Sequence, residues 1–204
     1  MPTGVAIRDV RQQLFDAAER VLLRDGPSAL TSRSVTAEAG VAKGVLHRHF
    51  ADFDAFLAEF VLDRAGRMVS QAAALREAAG TGTVTGNLAA ALTDLFSPGA
   101  VAIVPLITFR DELRARLRPT WPTGVPLLTE GVAMIAVYLT AERDLGRIEP
   151  GAEVDMLAPM LVGAGHLLFA DRNSAPPGAG EVHRMVTTVI AGVVQDPPRP
   201  RPQR

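Results

Sequence analysis

Apolar residues recur at helical spacing along most of the chain, and alternation of period two appears nowhere. The first such segment runs from Arg8 to Arg24, where Val10, Leu14, Phe15, Ala18, Val21 and Leu22 form an i, i+3, i+4 stripe. Asp25-Gly26-Pro27 stops it. Thr31 is placed to cap a helix over Ser32–Ala39, and Gly40 to end that helix in the left-handed conformation. Lys43–His49 then forms a second short helix. Val35, Ala39, Val41 and Leu46 face inward at this spacing, and Arg33, Lys43, His47 and Arg48 are left outside. A short helix pair held by a glycine turn, with a basic outer face, is the helix-turn-helix layout.

Further along, Asp52 caps a long helix that begins at Phe53 and continues to about Ala79, with Phe56, Leu57, Phe60, Val61, Met68 and Val69 apolar. Gly80–Gly86 is a flexible break, Asn87–Phe96 a short helix, and Ser97-Pro98-Gly99 a turn. Ala100–Arg118 is helical, with a kink or late start at Pro105. Pro119–Pro126 holds the only Trp and reads as a loop. Leu127–Asp144, Glu153–Arg172 and Glu181–Val194 complete the helices. The pattern predicts an all-α chain. Residues 1–52 form a three-helix DNA-binding domain with a helix-turn-helix, joined by the long helix to a second helical domain, residues 53–196. Residues 197–204 are expected to be a disordered tail.

Composition narrows the chemistry. The 204 residues are 48% hydrophobic, enough for a sizeable core and too apolar for a disordered chain. With no Cys, disulfide frameworks, thiol catalysis and Cys-based metal sites are excluded. No leader peptide is recognisable at the N-terminus, and no apolar run is long enough to span a bilayer, so a soluble cytoplasmic protein without membrane contact is expected. The net charge of −1 conceals a mild asymmetry. Residues 1–50 carry seven Lys/Arg against five Asp/Glu, whereas the remainder carries 14 against 17. The basic excess therefore falls on the helix-turn-helix end.

About the first 60 residues resemble the TetR family of one-component bacterial transcriptional repressors. The carrying residues are Phe15-Asp16-Ala17-Ala18, Gly26, Leu30-Thr31, Val35, the run from Ala39 to Phe50 (AGVAKGVLHRHF), and Leu57. The length and order of that run make the resemblance specific; the rest of the chain is similar only in helical layout. The resemblance implies that the second helix enters the major groove, with Thr31, Ser32, Arg33, Lys43, Gly44, His47 and Arg48 toward double-stranded DNA. It also implies a ligand-binding and dimerisation domain after residue 53, whose last two helices build a homodimer. Thr36 stands where the family usually has Ala, His47 where it has Tyr, and Phe53 where it has Lys. Ala42 and Val45 replace small hydroxyl residues. The Tyr, Lys and hydroxyls hold phosphates in the family, and each lost cation removes about one unit of salt slope.

Two further sets of residues each carry two readings. Arg110, Tyr138 and His166 are isolated polar groups in apolar surroundings: satisfied core groups, or the polar points of a ligand cavity. That cavity would be lined by Phe96, Ile103, Leu106, Ile107, Trp121, Met134, Met160 and Phe169, and would take a small hydrophobic or aromatic effector. The Glu153–Ala170 helix is apolar nearly all round and contains Gly163-Ala164-Gly165. It is either buried in a monomer or packs with the last helix into a two-fold interface, for which Leu161, Gly165, Leu168, Met185, Val189 and Val193 are the candidates.

An enzyme is not expected. Asp111-Glu112, Glu142 and Glu149 form no paired spacing, and His166 and Asp171 have no metal spacing. A phosphate-binding glycine loop and a nucleophile elbow are both missing, and no cofactor is implied. The reading is a ligand-responsive DNA-binding regulator, a repressor released by its effector. The alternative is a helical small-molecule-binding dimer with weakened or lost DNA binding.

Overall fold

The computed structural model describes residues 7–170 and 175–195; the tail expected to be disordered lies outside them. The described residues form α1 (Ile7–Asp25), α2 (Ser32–Glu38), α3 (Val45–His49), α4 (Phe53–Glu77), α5 (Val84–Leu95), α6 (Pro98–Thr108), α7 (Asp111–Leu117), α8 (Leu128–Asp144), α9 (Val154–Phe169) and α10 (Ala179–Ile190). Among them the only extended pairing is an isolated antiparallel bridge between Ile148 and Val194. The all-α expectation therefore holds.

The chain divides into two compact units, but not at residue 52. The first runs to Gly66 and takes in Pro98–Pro126; the second is Arg67–Ser97 with the chain from Leu127 onward. The helix α4 crosses the boundary unbroken, and α6 and α7 belong with the helix-turn-helix rather than with the C-terminal helices. Tertiary contacts explain this. In the first unit Arg110 Nε donates to Asp54 Oδ1 at 2.5 Å, and Arg116 Nη2 to Asp52 Oδ2 at 2.6 Å. These pairs tie the α6–α7 segment to the start of α4. The same contact sets the helix boundaries. Pro105 sits inside α6 without ending it, and the break falls at Phe109-Arg110, where Arg110 turns extended to reach Asp54.

The first unit is built on an aromatic core. Phe15 of α1 lies 5.9 Å from Phe50, 5.6 Å from Phe56 and 6.1 Å from Phe60, ring centre to ring centre. The Phe50 and Phe56 rings meet edge to face at 5.0 Å. Arg11 lies 4.4 Å above the Phe50 ring and pairs with Glu59. A buried Arg64 of α4 pairs with Asp16 at 3.1 Å, Glu19 at 2.7 Å and Asp63 at 2.5 Å, fixing α4 against α1. Burial without partners would be costly for a guanidinium, and the three carboxylates offset it.

In the second unit α8 packs on α9, and α10 packs on α5 and α9. Thr83 caps α5 by accepting from Gly86 N at 3.0 Å, so the expected flexible break is partly drawn into the helix. Gly165 of α9 is required by a close approach: a Cβ there would stand 2.5 Å from the Phe96 ring. At the other end of the unit, Glu142 is fully buried. It accepts from Tyr138 Oη at 2.5 Å and from Gly80 N at 3.4 Å. Arg147 Nε faces its second oxygen at 3.3 Å. Asn87 Nδ2 donates to Tyr138 Oη at 3.0 Å, and Arg147 Nη2 to Gly82 O at 2.8 Å. The network joins the turn after α4 to α5, α8 and the loop beyond α8.

Candidate nucleic-acid interface and effector cleft

The helix-turn-helix forms as its caps dictate. Thr31 Oγ1 accepts from Ser34 N at 3.1 Å, and Ser34 Oγ accepts from Thr31 N at 2.9 Å, a reciprocal capping box. Gly40 takes φ 66°, which a residue with a Cβ adopts at a steric cost. Val41 N then donates to Thr36 O at 3.0 Å, and Val41 is half-buried rather than fully inside. The second helix is shorter than the expected Lys43–His49. Lys43 and Gly44 lie in the turn, and α3 spans only Val45–His49. Leu46 and Phe50 anchor it in the core.

Arg33, Lys43, Gly44, His47 and Arg48 are all exposed. The cations on this surface differ from their neighbours in having no carboxylate. Arg11 pairs with Glu59, Arg20 and Arg24 with Glu38, and Arg64 with three acids. Arg33, Lys43 and Arg48 make no ion pair or side-chain hydrogen bond among the described residues. Two of the sequence-assigned residues stand differently. The Thr31 hydroxyl is engaged as the helix cap, and Ser32 Oγ is shielded from the surface with no hydrogen-bond partner among the described residues.

The replaced family positions have distinct structural reasons. Val45 is buried, so its side chain serves the core and not a phosphate. Thr36 is also buried, its hydroxyl donating to Ser32 O at 2.8 Å within α2. Phe53 stacks on Phe56 at 5.6 Å, and the Arg110 guanidinium lies 5.4 Å above its ring. Ala42 and His47 remain on the exposed side.

The sequence-assigned ligand residues are divided between the two units. Ile103, Ile107, Arg110 and Trp121 belong to the first unit, and Phe96, Met134, Tyr138, Met160 and His166 to the second. Ile103 and Ile107 are spent in the core, and Arg110 in its pair with Asp54. Tyr138 is committed to Glu142, and burial, followed by that hydrogen bond, pushes its pKa well above the usual phenol value. Met160 is exposed.

A cleft of about 410 Å³ does exist in the second unit, lined by Ser70, Gln71, Ala74, Leu75 and Ala78 of the α4 side, Asn87, Ala90, Ala91 and Asp94 of α5, and Met134 of α8. Of the expected residues only Met134 lines it. Small alanines at helical spacing on α4 and α5 open it, a signal that a search for bulky apolar residues passes over.

His166 sits beside Phe96, ring centres 6.1 Å apart, with Nδ1 shielded and without a hydrogen-bond partner among the described residues. Burial holds its pKa below the ordinary value of 6.5. The unfolded chain therefore takes up this proton first as pH falls below 6.5, and stability is lost from there down to the lower folded pKa. Replacing His166 with Leu is expected to remove that part of the pH dependence, measured as the hydrogen-exchange protection of α9 relative to α1 between pH 7.5 and 5.5.

The assigned dimer residues also sort by burial. Leu161 is fully buried within its own unit, and Gly165 is covered by Phe96, so neither is free to meet a partner. Leu168, Met185, Val189 and Val193 are half-buried. The exposed apolar stripe of α9 is instead Met156, Met160, Gly163 and Leu167, with Leu167 81% exposed. On α10 the outer face is polar: His183, Arg184, Thr187 and Thr188.

A short capped helix pair with an unpaired basic face, on a chain with a second all-helical unit, defines a helix-turn-helix protein with an appended helical domain. Residues 14–60 match the profile of the bacterial regulatory proteins of the tetR family. The fold is similar to that of a transcriptional regulator of the TetR family from Agrobacterium tumefaciens, 11% identical over 92% of this chain and 99% of that one, with a TM-score of 0.70. It is also similar to Salmonella enterica GusR, 15% identical over 92% and 98%, TM-score 0.67. The transcriptional regulator FadR from Bacillus subtilis, solved with stearoyl-CoA, is 17% identical over 89% and 98%, TM-score 0.67. No curated protein sequence matches the chain. By sequence, the N-terminal residues 14–60 are a tetR-family regulatory domain, and the helices beyond them are similar to TetR-family regulators in fold. No single helix among the described residues is long and apolar enough to cross a membrane.

Proposed function

We propose that this protein is a homodimeric transcriptional repressor that leaves its operator when a small, largely apolar effector enters the C-terminal unit. The observation that carries the reading is the unpaired basic surface: among the described residues Arg33, Lys43 and Arg48 lack carboxylate partners, whereas Arg11, Arg20 and Arg24 of the same unit have them. Unpaired exposed cations cost nothing to desolvate from a partner before meeting phosphate. Lys43 and Arg48 flank the exposed side of α3, which supports the reading that they meet the groove and its walls. The cleft supplies an effector site, with six of its ten lining residues apolar. An effector acts only through unequal affinity for the DNA-competent and DNA-incompetent states. The α9 stripe of Met156, Met160, Gly163 and Leu167 is the dimer surface, and a dimer suits a helix-turn-helix reading two half-sites.

Fluorescence anisotropy with the DNA upstream of the protein's own gene tests the reading. Binding should fall steeply with salt, and Lys43→Ala and Arg48→Ala should each weaken it about tenfold and lower the salt slope by about one. Unchanged affinity in both variants would remove α3 from the interface. The second reading, a ligand-binding dimer whose DNA head has decayed, is favoured by Phe53 and Ala42 at phosphate-holding positions. It expects little specific binding at any salt.

A further inference from the structure

We infer that the cleft of the second unit selects an apolar organic ammonium, with Asp94 as its anionic partner; this rests on reading that unit as the effector domain. The argument begins with charge. None of the ten lining residues is Lys, Arg or His, and Asp94 is the only charged one. Its carboxylate makes no hydrogen bond or ion pair among the described residues, so it is available to a ligand.

Hydrogen-bond capacity points the same way. The Ser70 hydroxyl proton is spent on Arg67 O at 2.8 Å, leaving lone pairs as what Ser70 offers. Asn87 Nδ2 stands within bonding distance of Ala78 O at 3.2 Å, Thr81 O at 2.9 Å and Tyr138 Oη at 3.0 Å. Two N–H bonds facing three acceptors leave none for a ligand. Gln71 alone keeps a side-chain donor. A ligand carboxylate or phosphate would meet Asp94 with almost nothing donating to it, whereas an ammonium finds a carboxylate and hydroxyl lone pairs. Leu75, Met134 and the four alanines supply the apolar wall for the rest of the molecule. Volume sets the scale: about 410 Å³ suits a small drug-sized molecule and excludes a long lipid thioester with its nucleotide.

The test uses a matched pair of probes, 4-phenylbutylammonium and 4-phenylbutyrate, equal in carbon number and opposite in charge, titrated into the full-length protein by calorimetry at pH 7.5. The ammonium should bind and the carboxylate should not. Asp94→Asn should weaken the ammonium about fivefold, the range of a partly exposed charge pair, and narrow the preference between the two probes. Ala91→Phe should fill the cleft and abolish binding while thermal melting stays cooperative. Equal binding of both probes, an Asp94→Asn variant that binds the ammonium as well as the parent, or no ammonium binding at millimolar concentration overturns the assignment. The ammonium's effect on DNA anisotropy is read separately. Binding that leaves DNA affinity unchanged keeps the ammonium site and sinks its role as effector site. DNA release by some other compound, with no ammonium binding, does the reverse.

Discussion

Replacing Glu142 with Ala should destabilise the C-terminal unit by about 3 kcal/mol, the cost of breaking a buried charged network from one side. Glu142 is 0% exposed and serves three groups at once. Its removal strands the Tyr138 hydroxyl, which then keeps only the bond it accepts from Asn87. It also leaves Arg147 without its carboxylate and Gly80 N without its acceptor. Unpaired buried polar groups carry their full desolvation penalty. Glu142→Gln keeps the shape and an acceptor, and should cost less than half as much. Because the chain has two units, a single melting midpoint is a poor measure. Hydrogen exchange on the intact protein resolves the effect: protection should drop at residues 78–87 and 138–149 and persist in α1 and α2. A loss below about 1 kcal/mol, or one spread evenly over both units, would show that the network is not what closes this end of the unit.

The second large effect concerns assembly. Leu167→Glu should convert the proposed dimer to a monomer, seen as a halved mass in light scattering. The residue is 81% exposed within the subunit and lies on the same face of α9 as Met156, 61% exposed, and Met160, 52% exposed. Positions 156, 160, 163 and 167 follow the spacing of one helical stripe. In a two-fold interface each copy contributes the same patch, so one substitution introduces two carboxylates into an apolar contact. Gly163 within the stripe would let a partner backbone approach closely. Loss of the dimer also separates the two half-site readers, so operator affinity should fall by about two orders of magnitude or more. Thr187→Glu, on the polar outer face of α10, is the control and should leave the mass unchanged. A Leu167→Glu protein that stays dimeric would place the interface elsewhere.

Local signals carried much of this protein. The helix-turn-helix is written in neighbouring residues: Thr31 as cap, Gly40 for a left-handed turn, and Val35, Leu46 and Phe50 at core spacing. Each acts within a few positions, so the sequence determines them together. Helix class follows from periodicity for the same reason, though Ala100–Arg118, read as one helix, is two. Boundaries that depend on distant residues were not legible. The α6–α7 break falls at Phe109-Arg110 instead of Pro105 because Arg110 reaches Asp54, 56 positions earlier in the chain. That pairing, with Arg116 to Asp52, also assigns residues 98–126 to the DNA-binding unit.

The sites divide along the same line. Which cations face outward could be read from helical spacing, but that Arg33, Lys43 and Arg48 have no carboxylate among the described residues, while Arg11, Arg20 and Arg24 do, is decided by where Glu38 and Glu59 fall in space. Apolar periodicity marked α9 as a partner-seeking helix, yet it could not say which side its own subunit covers. Packing against Phe96 consumes Leu161's side of the helix and Gly165, and leaves Met156, Met160 and Leu167 outside. The cleft was the least legible feature, since it is made by what is small or absent between three helices. Sequence records the side chains that fill space, and only the tertiary structure shows the space they leave.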